Sequence, residues 1–113
     1  MPKKGTIVLI PFPFTDLSSH KVRPAVVLSH MLKGDDIVVV FISSQKPKKK
    51  EPTDVLIVCE SKGFKETGLK VDSVVRVSKI ATLDKKIMLG TLGFVSKDTS
   101  KEIDAKMRIL FGI

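Results

Sequence analysis

A chain of 113 residues, 42% of them hydrophobic and 28% charged, is sized for one domain, 1–113, and buries roughly two-thirds of its unfolded surface without covalent staples. Its single cysteine, Cys59, excludes an internal disulfide and a multi-cysteine zinc site and suits a reducing cytoplasm, and no apolar run approaches the ~20 residues that span a bilayer. Twenty Lys and Arg against twelve Asp and Glu leave a net charge of +8, which favours a polyanionic partner, nucleic acid first and acidic protein second.

Lys3 and Lys4 before the apolar stretch 6–14 imitate an export signal, but Pro11 and Pro13 interrupt it and no small-x-small site follows. The stretch 5–12 therefore reads as a first strand. Pro11, Pro13 and residues 15–19 make a loop, and its polar side chains Asp16, Ser18, Ser19 and His20 lead directly to Arg23. That loop is a candidate wall of a site, although Asp and Ser are also ordinary turn residues.

Residues 23–29 follow as a strand. Ala25, Val26, Val27 and Leu28 are an unbroken apolar run, expected where both faces of a strand are covered. Arg23 stands at its mouth, pushed towards extended geometry by Pro24, and its guanidinium is a permanently charged fork that matches phosphate oxygens. A surface salt bridge is the plainer reading of such an arginine.

Lys33, Gly34, Asp35 and Asp36 signal a turn. It closes an antiparallel hairpin with a second buried strand, 37–42, which ends in Ser43, Ser44 and Gln45. Hairpin geometry then places Arg23, at the start of one strand, near Ser43 at the end of the other. The run 46–50 carries Lys46, Lys48, Lys49 and Lys50 and cannot bury anything, so it is a solvated basic loop or an arm that grips phosphates.

A strand over 54–59 and a polar connection over 60–70 come next. In the strand 73–78, Val75 and Val77 share one face and Arg76 projects from the other; Arg76 is either a second phosphate ligand or one half of a cross-strand ion pair. The stretches 80–83 and 87–95, joined at Asp84, Lys85 and Lys86, read as a further hairpin in which Gly90 and Gly93 mark bends or close backbone approaches.

From Ser96 the period becomes helical. Ile103, Met107, Leu110 and Phe111 fall on one face as core packing, Ser96 or Asp98 caps the start, Glu102/Lys106 and Asp104/Arg108 are spaced as ion pairs, and Gly112 ends the helix. Short strands closed by one amphipathic helix indicate a small, mainly antiparallel barrel.

The chain has no H-E-x-x-H, Walker loop, G-x-S-x-G or carboxylate cluster with metal-ligand spacing. Six Phe with no Trp or Tyr do not support an aromatic base-stacking platform either. Cations, hydroxyls and a loose histidine remain. They fit RNA transesterification without a metal or other cofactor, in which the ribose 2′-OH is the nucleophile and preorganised arginine holds the developing phosphorane charge.

The ordered segments GTIVLIPFPFTD, KVRPAVVLS, VVVFISSQ and GLKVDSVVRVSKIATLDKK resemble the MazF/PemK family of toxin ribonucleases from bacterial toxin–antitoxin modules, over nearly the whole chain. The resemblance implies a mainly β fold, an SH3-like barrel of CcdB/PemK type with a C-terminal α-helix, in a cytoplasmic homodimer. It also implies sequence-specific, metal-independent cleavage of single-stranded RNA to 2′,3′-cyclic phosphate and 5′-hydroxyl ends, restrained by a cognate acidic antitoxin.

Arg23 matches the arginine of the family's RP motif, Ser43 a catalytic threonine, and Arg76 a strand arginine used near the scissile phosphate. The aspartate two residues after that arginine is Ser78 here, so the base that takes the 2′-OH proton is missing from its place, and His20 or Asp16 has to substitute. Asp16, Ser44, Gln45, Lys46, Lys48, Lys49, Lys50 and Ser78 complete the candidate RNA-contacting set. Two other classes compete: a non-catalytic gyrase poison of similar fold, acting through its terminal helix, and a barrel that only binds nucleic acid.

Overall fold

The computed structural model describes residues 2–12, 21–29, 34–45 and 49–113, and of Phe12 the backbone alone. Asp16, His20, Lys46 and Lys48, with the loop around the first two, lie outside the described residues.

Six strands form one antiparallel sheet that curls into a half-barrel: β1 (Thr6–Phe12), β2 (Lys21–Val27), β3 (Asp36–Ser43), β4 (Asp54–Ile57), β5 (Ser73–Asp84) and β6 (Gly90–Phe94), in the order β4-β5-β3-β2-β1-β6. A one-turn helix α1 (Phe64–Thr67) and the terminal helix α2 (Lys97–Phe111) complete it. No helix among the described residues is long and apolar enough to cross a membrane.

The continuous apolar runs behave as their composition requires. On one face Ile7, Val26, Val40, Ile42, Val55, Val75 and Val77 pack with Ile103 of α2. On the other, Val8, Ile10, Ala25, Val27, Ile37 and Val39 pack with Ala81, Leu83, Ile87 and Met88. β2 and β3 contribute to both clusters, so side chains of either parity are removed from water, which is why neither strand alternates apolar with polar.

Three expectations are corrected. The segments 73–78 and 80–83 are one strand, β5, bent where its pairing with β3 jumps from Phe41↔Arg76 to Val40↔Ile80; the intervening residues are a bulge rather than a break. No hairpin joins β5 to β6, because the chain at Lys85–Ile87 turns through a 3-10 helix and carries β6 across to pair with β1.

The third correction concerns α2. Only Ile103 and Met107 of its apolar face pack against the core, while Leu110 and Phe111 are 36% and 58% exposed, so the last turn of the helix does not lie against the core. Ser96, not Asp98, is the cap, accepting the Thr99 N–H at 3.1 Å, and Gly112 terminates the helix in the left-handed region. Asp104 pairs with Lys4 Nζ at 2.9 Å.

Gly93 is a close-approach position, as expected. A side chain there would collide with the backbone of Glu66 and Thr67, where α1 lies on β6.

Candidate active site and nucleic-acid interface

Arg23 owes its position to the strand that carries it. β2 pairs with β1 along its whole length, Arg23 opposite Ile10, but its ladder with β3 runs only from Val27↔Val39 to Ala25↔Phe41. Pro24 has no N–H to continue it. The first residues of β2 therefore stand free of β3, anchored on one side by β1 and followed immediately by three residues buried to within 1%.

The gap this leaves is a cleft of about 310 Å³, lined by Lys21, Val22, Arg23, Pro24, Ile42, Ser44, Leu69, Lys70, Val71 and Ser73. Its lining holds three cations, two hydroxyls and an apolar floor. That combination can accept an anion and an apolar ring face together.

The β2–β3 ladder stops at Ala25↔Phe41, two residues from Arg23 on one strand and from Ser43 on the other, so both lie at the same end of the strand pair without being paired; Ser43 is opposite Val74 of β5. The Ser43 hydroxyl is engaged locally: it donates to the Gln45 carbonyl at 3.2 Å and accepts the Gln45 N–H at 3.1 Å, fixing the turn at the end of β3. Ser44 rather than Ser43 lines the cleft, together with Ser73, and Ser44, Gln45, Lys49 and Lys50 are exposed.

Arg76 projects from the face opposite Val75 and Val77, as its parity requires, and is diagonal to Ser43 across β3 and β5, about 7–8 Å away between Cα atoms. It is held in ion pairs. Its Nε donates to Asp54 Oδ1 at 2.9 Å and its Nη2 to Glu51 Oε1 at 3.0 Å. The Ser78 hydroxyl donates to Glu51 Oε2 at 3.2 Å, and the Glu51 N–H to Asp54 Oδ2 at 2.9 Å. The cross-strand ion pair, offered by the sequence as one of two readings of Arg76, is thus present, with two carboxylates rather than one.

Glu51 and Asp54 were not among the sequence-level candidates, nor were Lys21, Lys70 and Ser73 of the cleft. The carboxylates follow the lysine run as Glu51-Pro52-Thr53-Asp54, a composition any turn could have, and only the β4–β5 register, Asp54↔Arg76, brings them to the arginine.

A second cleft of about 720 Å³ shares Ser44, Lys70 and Val71 with the first and continues to Cys59, Glu60 and Asp72. The Cys59 N–H donates to Asp72 Oδ1 at 2.7 Å. Hydrogen bonding to the Asp72 carboxylate, then desolvation and that carboxylate's charge, push the Cys59 thiol above its ordinary value. Among the described residues no three His, Cys, Asp or Glu side chains converge as a metal-binding group.

Comparison with known proteins gives a consistent picture. The family described as "PemK-like, MazF-like toxin of type II toxin-antitoxin system" matches residues 3–111. Among solved structures, the fold resembles an "Endoribonuclease in complex with its cognate antitoxin from Mycobacterial species" (19% identity, 100% of this chain and 97% of that one, TM-score 0.77). It also resembles MazF from Deinococcus radiodurans alone (24%, 99% and 97%, TM-score 0.73) and in a MazE-MazF complex (23%, 99% and 96%, TM-score 0.76). At these identities the likeness to the solved structures is one of fold.

Proposed function

The chain belongs to the family of PemK-like, MazF-like toxins of type II toxin–antitoxin systems, and from that premise we propose that it is a metal-independent, sequence-specific endoribonuclease acting on single-stranded RNA. The observation that carries this reading is Arg23, fixed on the free end of a core strand and lining a cleft with Lys21, Lys70, Ser44 and Ser73.

In the proposed reaction the ribose 2′-oxygen attacks the adjacent phosphorus and the P–O5′ bond breaks, leaving a 2′,3′-cyclic phosphate and a 5′-hydroxyl. Negative charge accumulates on the non-bridging oxygens at the pentacoordinate stage. A cation already oriented there stabilises that stage more than the ground state. Arg23 suits this task because its guanidinium stays protonated and its strand cannot shift without disturbing the core. Ser43 holds the end of β3, Ser44 and Gln45 face the strand of RNA beside it, Lys49 and Lys50 extend the basic track, and Arg76 acts with the carboxylates around it. Flanking nucleotides are read in the cleft, whose floor takes a base while its cations take phosphates.

The toxin acts in the cytoplasm as a homodimer, inhibits translation by cutting mRNA, and is restrained by a cognate acidic antitoxin. The solved complexes of similar fold support such a partner. The test is incubation of purified protein with a long mixed-sequence RNA in EDTA, followed by mapping of the ends. Cleavage to cyclic phosphate ends is expected, with DNA of the same sequence surviving because it lacks the 2′-OH. Cleavage abolished by EDTA and restored by magnesium would overturn the reading.

A further inference from the structure

We propose that Glu51 is the proton acceptor for the attacking 2′-OH, an inference that rests on the ribonuclease reading above. The reaction needs a base. Arg76 cannot serve, since a guanidinium stays protonated, and Ser78 is a neutral donor.

Asp54 is a carboxylate on the same face, but its side chain is 0% exposed. One oxygen takes the Arg76 Nε–H and the other the Glu51 N–H. It is a buried structural anchor, out of reach of a substrate.

Glu51 differs in each respect that matters. Its side chain is 45% exposed, and each carboxylate oxygen accepts one hydrogen bond, from Arg76 Nη2 and from the Ser78 hydroxyl. Those two bonds fix the carboxylate's orientation while leaving acceptor positions on both oxygens. Arg76, which carries it, is the diagonal neighbour of Ser43 across β3 and β5, and Arg23 is on β2, the strand on the other side of β3. The strands flanking β3 thus carry a cation, Arg23 on β2, and an arginine-held acceptor, Glu51 on Arg76 of β5.

The charge sum agrees. Arg76 with Asp54 and Glu51 totals one negative charge, so the cluster presents an acceptor rather than a second phosphate ligand. Among the described residues the groups that face Glu51 are Arg76 and Ser78 of β5 and Asp54 of β4, with exposed Lys50 and Lys49 preceding it in the chain.

In the step itself the Glu51 carboxylate takes the 2′-OH proton as the 2′-O–P bond forms. The P–O5′ bond breaks, and the departing 5′-oxygen takes a proton from water.

The experiment is single-turnover cleavage of a short RNA by the full-length protein, followed across pH together with RNA affinity. Glu51→Gln is expected to lower the rate constant by about a hundredfold or more with RNA affinity kept. Its rate should rise in proportion to hydroxide, without the plateau that an enzymatic base gives the wild type. A merely structural role for Glu51 would lower the rate at every pH and leave the plateau.

A Glu51→Gln rate within about threefold of wild type, or a plateau that survives, overturns the assignment. Should Glu51→Gln fail to fold, Glu51→Asp carries the test: the retracted carboxylate should keep the plateau and lose about tenfold or more in rate, and a wild-type rate overturns the proposal. A wild-type protein that releases no 2′,3′-cyclic phosphate refutes the ribonuclease reading, and the role of Glu51 falls with it. Wild-type cleavage with an unaffected Glu51→Gln variant refutes Glu51 alone.

Discussion

Replacing Arg76 by Ala tests whether this arginine is chiefly a structural clamp. The substitution leaves the Asp54 carboxylate, whose side chain is 0% exposed, with only the Glu51 N–H as its remaining partner. Breaking a buried ion pair by removing one partner costs 3–5 kcal/mol in general terms, so about 3 kcal/mol applies here: Arg76 is itself 21% exposed, and water can enter the space it vacates. The Glu51 arm adds at most about 1 kcal/mol, because that carboxylate is half in solvent. For a chain of this size, about 3 kcal/mol corresponds to a fall in Tm on the order of 10–15 °C. Glu51→Gln, which disturbs only the exposed arm, should cost less than about 1 kcal/mol. The assay is equilibrium urea unfolding at one fixed protein concentration, since association shifts apparent stability, with an unchanged m-value as the check that the same surface is exposed. An Arg76→Ala variant within about 1 kcal/mol of wild type would refute the clamp, and so would a Glu51→Gln variant as damaged as Arg76→Ala.

Arg23→Ala should leave Tm within a few degrees of wild type yet lower RNA turnover about a hundredfold or more, the usual loss of one oriented charge-stabilising group, while Arg23→Lys recovers part of it; turnover and Tm are read on the same preparations, and unaltered turnover removes Arg23 from the site. Changing Lys49 and Lys50 to Gln should reduce the slope of log K against log salt by about 1.4 if each touches one phosphate of a single strand, measured by fluorescence titration at several salt concentrations, whereas an unchanged slope makes them solvated side chains only. Because Asp72 holds the Cys59 thiol above its ordinary value, Asp72→Asn lowers that value and increases the thiolate present at pH 7.5; iodoacetamide should then label Cys59 faster than in wild type, and the two rates should converge as pH rises until both thiols are ionised.

Much of the fold was legible in the sequence because its strands are unusually explicit. Runs such as Ala25-Val26-Val27 and Val39-Val40 have no polar face to present, so they had to be covered on both sides, and they are. The Gly112 stop was equally readable and the cap was narrowed to Ser96 or Asp98, since each side chain or its absence acts on the adjacent turn. The errors arose where the determinant is not local. Whether residues 84–87 close a hairpin or send the chain elsewhere depends on which strand edge is vacant, and the vacant edge was β1, with β5 already paired on both sides. Leu110 and Phe111 carry the periodicity of a buried face, but periodicity cannot show where the sheet beneath a helix ends.

The two arginines show the same limit in the site. In sequence each is a cation on a strand beside valines, and the chain's +8 charge applies to both alike. Their environments separate them. The cleft around Arg23 adds Lys21 and Lys70, and its described lining residues include no carboxylate, an arrangement whose attraction for an anion strengthens as water is excluded. Around Arg76, Asp54 and Glu51 reverse the sign locally, although Asp54 is 22 residues and Glu51 25 residues away along the chain. On the ribonuclease reading proposed above, the first environment takes a phosphate and the second offers an acceptor for a ribose hydroxyl.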